Sequence, residues 1–176
     1  MTIIVDDAGS GDLLFGVVIG AFRVETQDFK YDIIETKYFQ SPHFSSKEYL
    51  RQASSIVFSL LQKLSVGPDE AIMICRGNIF DLAADDLVRE YGKSRVSRAK
   101  VTGNAQLYTE TAYVDEINNL GYTPLTNRDE ERAKSFHSMM RWLEANPKML
   151  KYAKTGWPKL SRYRFFGYAS DSSQIG

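Results

Sequence analysis

Only one cysteine, Cys75, occurs in this 176-residue chain, so no intrachain disulfide can brace it. That composition agrees with a reducing cytoplasm, the location expected for the protein. Cys75 follows the apolar run Ala71-Ile72-Met73-Ile74 and stands far in sequence from the two histidines, His43 and His137. It reads as a buried structural thiol rather than a nucleophile. No apolar run approaches the roughly 20 residues of a membrane helix. The N-terminus lacks a charged segment leading into an apolar one, so no signal peptide is expected. Internal repeats and low-complexity tracts are missing too. The composition that remains, 43% hydrophobic and 25% charged, suits one soluble globular domain with a substantial core.

Net charge is also lacking, but the zero sum hides an asymmetry. Residues 1–131 hold 20 of the 22 acids and 13 of the 22 bases. Residues 132–164 hold nine bases and a single acid, Glu144. A basic segment on an otherwise acidic chain points to a polyanionic partner.

The punctuation of the chain predicts the order β-β-β-α-β-α-β-α, followed by a fourth helix. Strands are expected at 2–7, 13–22 and 29–39, short polar links making them an antiparallel meander. A helix capped by Ser45 or Ser46 carries the stripe Leu50, Ala53, Val57, Leu60, Leu61 and Leu64. Gly67-Pro68 ends it, and Ala71–Cys75 is a fully apolar strand of the kind found inside parallel sheets. Helices are expected at 79–91, 107–120 and 128–145, with a strand at 94–101. Each crossover through a helix should lay its strand parallel to a neighbour. A mixed five-stranded α/β core over 1–121 results, with a basic, aromatic extension over 122–176 packed on the same domain. Residues 170–176 read as a disordered tail.

The chain is organised around Ile3-Ile4-Val5-Asp6-Asp7-Ala8-Gly9-Ser10-Gly11. Two carboxylates stand where an apolar strand should end, and a flexible glycine step follows. Ionised carboxylates there need a cation, a strong donor or water. Either a hard divalent cation binds the pair, or Asp7 closes an Asx turn over the glycine step.

This opening, followed by Gly16-Val17-Val18, resembles the start of type 2 ribonuclease H, with its acid pair, Gly-x-Gly step and apolar second strand. Val101-Thr102-Gly103-Asn104-Ala105, followed by Tyr113-Val114-Asp115-Glu116-Ile117, is similar to the end of type 1 ribonuclease H. The resemblance spans about residues 2–120 and implies the ribonuclease H-like fold. It also implies metal ligands at Asp6, Asp7 and Asp115, and a nuclease using two Mg²⁺ or Mn²⁺ ions about 4 Å apart. RNA or an RNA/DNA hybrid stands ahead of duplex DNA as substrate, with Ser10 and Asn104 at nucleic-acid contacts. The chain departs from the pattern in three places. Its second acid is Asp rather than Glu, Ser10 replaces a basic residue, and Asn104 replaces a histidine.

Two further acids are candidates by the same resemblance. Glu48 on the first helix could serve as a ligand or simply complement the helix dipole. Asp81 is the acid nearest the end of the fourth strand. That end reads Ile74-Cys75-Arg76-Gly77-Asn78, and Arg76 could pair with Asp6 or Asp7 and replace the metal.

In the extension, Trp157 and neighbouring aromatics interleave with Lys151, Lys154, Lys159, Arg162 and Arg164. Basic groups neutralise phosphates and rings stack on unpaired bases, so a nucleic-acid clamp is one reading. The other is a strap that covers the sheet with its apolar groups while the lysines stay in water. Three functions follow: a metal-dependent nuclease, a non-catalytic nucleic-acid-binding domain of the same fold, or a protein-interaction domain.

Overall fold

The computed structural model describes residues 1–128 and 130–166. The tail expected at 170–176, and Tyr168 among the aromatics of the extension, lie outside the described residues.

β-Branched runs build an open mixed sheet of five strands in the order β3-β2-β1-β4-β5. These are β1 (Thr2–Ala8), β2 (Val17–Arg23), β3 (Phe29–Ile34), β4 (Ala71–Cys75) and β5 (Val96–Ala99). The first three form the antiparallel meander; β4 runs parallel to β1 and β5 parallel to β4. α1 (Glu48–Lys63) and α2 (Asp81–Tyr91) carry the two crossovers, and α3 (Asn104–Asn119) and α4 (Arg132–Ala145) follow the last strand.

Alternation along the strands divides the core in two. Ile3, Val5, Ile19 and Ile72 pack with Val57 and Leu61 of α1 and Leu87 of α2. On the other face Ala8 and Val18 pack with Tyr113 and Ile117 of α3 and with Met139 and Leu143 of α4. The C-terminal extension closes this second core. Its strap crosses the link after β1, where Phe15 N–H donates to Tyr152 O at 2.7 Å and Lys154 N–H to Leu13 O at 2.9 Å. Ala153 and Leu160 are buried there.

Several boundaries differ from the sequence reading. β3 stops at Ile34, because Thr36–Phe39 turns into a 3₁₀ segment that buries Phe39 in the first core. α1 begins at Glu48 without a serine cap. Ser45 and Ser46 instead donate backwards, to Pro42 O and His43 O. A 3₁₀ turn, Asn78–Phe80, precedes α2, and α3 starts earlier than its apolar stripe implies, at Asn104. α4 begins only at Arg132, so Arg128 stands outside the helix and turns inward.

Candidate functional site

β1 lies where the sheet changes from antiparallel to parallel pairing, between β2 and β4. The pairing Val5 with Ile74 continues so that Cys75 comes beside Asp6. One carboxylate oxygen from each of Asp6 and Asp7, and the Cys75 sulfur, lie within 4.8 Å of one another. Asp6 is only 6% exposed. Burial pushes its carboxyl up to about 6; the Cys75 thiol, donating to it, opposes the rise, and the like charge of Asp7 adds to it. Burial also raises Asp7, against the Ser10 hydroxyl that donates to it and the nearby charge of Lys154. Burial raises the Cys75 thiol as well, with the two carboxylates adding to the effect. Among the described residues, no salt bridge reaches Asp6 or Asp7.

The glycine step after β1 is fixed from two sides. Gly9 has φ +86°, and a Cβ there would sit 2.1 Å from the Tyr113 ring, so both backbone and space demand glycine. From the strap, the Lys154 ammonium donates to Gly9 O and, at 2.8 Å, to Asp12 O. Lys154 has no exposed surface, and burial brings its amine down to about 7, with the charges of Asp12 and Asp7 opposing the fall. Arg128 bridges Asp12 to Glu110 of α3 and lies 4.5 Å from the centre of the Tyr113 ring.

These groups border a cleft of about 420 Å³. Asp6, Asp7 and Cys75 line it with Gln106 and Glu110 of α3, and Lys100, Arg128 and Arg132 add positive charge.

The expected site residues divide clearly. Asp6, Asp7 and Ser10 come together in the cleft. Asp115 does not line it. It is exposed on α3, where its charge acts on Tyr31, and Glu110 is the α3 acid in the cleft. Glu48 stays at the start of α1, 2.8 Å from His43 Nδ1 and accepting from Ser46. Asp81 pairs with Arg98 at 2.9 Å. The pairing proposed for Arg76 does not form: its side chain is exposed, and the thiol of Cys75 takes the place beside Asp6. The Asn104 amide donates to Gln27 Oε1 at 3.0 Å.

The basic row is split as well. Lys154 is buried under the glycine step and so cannot reach a phosphate in solvent, in contrast to the expectation for it. Lys151, Lys159, Arg162 and Arg164 are exposed. Trp157, Lys159 and Arg162 border an open groove of about 640 Å³, with the Lys159 ammonium 5.0 Å from the Trp157 ring centre.

Sequence reasoning missed Cys75, Lys100, Glu110, Arg128 and Arg132 as cleft residues. Cys75 carried a signal, since it closes the strand next to the carboxylate pair; the others depend on helix phase and loop path. Compared with protein-family models, curated proteins and solved structures, the chain matches none.

Proposed function

We propose that this chain is a ribonuclease H-like, divalent-metal-dependent nuclease that cuts phosphodiester bonds of RNA, RNA/DNA hybrid or structured nucleic acid. The observation that carries the reading is the carboxylate pair. Asp6 is buried and its neighbour Asp7 half-buried at the end of the central strand; among the described residues no salt bridge reaches either, and only the charge of Lys154 acts on Asp7. Two such groups are costly to bury unless something positive joins them. The strand order, with the pair at the meeting of antiparallel and parallel strands, supports the same family.

The residues fit Mg²⁺ or Mn²⁺. Asp6 and Asp7 offer hard oxygen donors within one ion's reach, which is what these cations accept. Bound there, such an ion supplies Lewis acidity and an activated water. Cys75 keeps a protonated thiol, raised by burial, and positions Asp6 by donating to it. Lys100 and Arg132 draw a phosphate into the cleft. Glu110 adds a third carboxylate to the cleft lining, held by Arg128.

That Glu110–Arg128 pair also favours a second reading, a non-catalytic domain that only binds nucleic acid, because a carboxylate locked on arginine does not serve an ion. Calorimetry with Mn²⁺ on the wild type and Asp6→Asn separates the two, followed by cleavage assays on hybrids, duplex RNA, single strands and branched DNA. The nuclease reading expects Mn²⁺ binding and cleavage, both lost in Asp6→Asn. Nucleic-acid binding that survives Asp6→Asn, with no Mn²⁺ binding and no cleavage, establishes the second reading.

A further inference from the structure

A second, smaller recess adjoins the cleft. It holds about 280 Å³ and is lined by Phe39, Phe44, Tyr49 and Trp157, with Ser10, Asn78 and neighbouring residues at its polar side. Phe39 and Phe44 each stack on Tyr49, with ring centres 5.4 Å apart. The strap that brings Trp157 here packs hard against them. Gly156 N–H donates to Phe39 O at 2.9 Å, and a Cβ on Gly156 would lie 2.5 Å from Phe44 Cβ. The recess is therefore a built aromatic pocket. It is slightly smaller than the 300–1,000 Å³ of ordinary drug-sized sites, a size for one flat ring system.

Its neighbours decide what the ring belongs to. Ser10 lines both this pocket and the carboxylate cleft. Gly77, on the pocket wall, comes so close to Asp7 that a Cβ there would be 3.2 Å from Asp7 Oδ1. Trp157 lines both the pocket and the basic groove of Lys159 and Arg162. A track thus runs from carboxylates to aromatic box to cations. One polymer matches that alternation: a strand with an anionic link at each step and a planar ring between links.

We propose that this pocket takes a single unpaired nucleobase, and that the substrate is single-stranded, or unpaired locally, beside the bond placed at Asp6 and Asp7. The proposal rests on the nuclease reading for the place of that bond, but not for the pocket. The aromatic rings stack on the base, Asn78 and Ser10 meet its polar edge, and the next phosphates lie on Lys159 and Arg162. A base held in a duplex keeps its ring faces against its neighbours and cannot enter.

The test is fluorescence anisotropy in EDTA, so that no metal contributes. The probes are a labelled single strand, in RNA and DNA versions, a strand of equal length built wholly of abasic residues, and the matching duplex. The intact strand should bind the wild type at least about tenfold more tightly than the abasic strand. Phe44→Ala should remove about tenfold from the intact strand and leave the abasic strand unchanged. Asn78→Ala, a change at an exposed position, should narrow the gap between the two strands without changing stability. Equal binding of intact and abasic strands by the wild type overturns the proposal and requires no variant. Tighter binding of the duplex overturns it too. Base-dependent binding by a protein that takes up no Mn²⁺ leaves the pocket standing and removes only the nuclease reading.

Discussion

Asp6 at the end of β1 and Lys154 in the strap are both buried, and burial moves each toward its neutral form. For Asp6 the folded value, about 6, lies above the ordinary 3.8. Its contribution to stability is therefore complete below pH 3.8 and is lost as pH rises through 6. Lys154 runs the other way. Its folded value, about 7, lies below 10.5, so its contribution is complete above 10.5 and is lost as pH falls through 7. At about 1.4 kcal/mol per pH unit, ionising Asp6 in the fold costs about 3 kcal/mol by pH 7. Asp6→Asn should therefore be more stable than the metal-free wild type at pH 7 by up to about this amount, with the advantage fading toward pH 4. Urea denaturation in EDTA at several pH values checks this. An advantage independent of pH would mean that the charge of Asp6 is not what the fold opposes. At this scale the sequence was informative about Asp6 and Asp7, whose strand position is local. It was misleading about Lys154, because a lysine among lysines looks solvated. Only its partners, more than 140 residues away, make it internal.

α3 shows why an element can be legible while the acid it turns to the cleft is not. Its apolar periodicity marks a helix, yet which acid faces the cleft depends on how the helix is rotated against the sheet. Glu110 and Asp115 are five residues apart, about 140° around the helix at 100° per residue, so one alone can line the cleft. Gly20 sets the rotation in part. A Cβ there would be 2.3 Å from Thr109 Oγ1, so α3 lies directly on β2 at that point. Arg128 was placed in a helix by its neighbours but stands four residues before α4 begins, where the chain can fold it inward onto Tyr113. It is 6% exposed and compensates both Asp12 and Glu110. Arg128→Met should destabilise the protein by about 3–5 kcal/mol, the usual result of removing one member of a buried ion pair. Adding Glu110→Gln should recover part of that loss. Chemical denaturation of the single and double variants measures the coupling, and strict additivity would show that the two side chains do not act together.

Across the whole molecule, the strand order could be read from simple connection rules. Short links keep β1, β2 and β3 adjacent, and helical crossovers bring β4 and β5 in parallel. The route of the extension was not legible. No local pattern announces that Ala153 will bridge to Leu14, or that Trp157 will arrive beside Ser10. That closure changes the meaning of the charge asymmetry. The basic surface is not an appendage but borders the same track as the carboxylate pair, which ion-release physics can test. Each exposed cation that meets a phosphate of a single strand contributes about 0.7 to the slope of log affinity against log salt. Lys159→Glu and Arg162→Glu should each weaken strand binding and reduce that slope by at least about 0.7. Lys154→Met should leave the slope as it is, because that ammonium already serves Gly9 and Asp12 and displaces no counterion. A slope unmoved by Lys159→Glu or Arg162→Glu would detach the groove from the track and leave the cleft to bind phosphate through Lys100 and Arg132 alone.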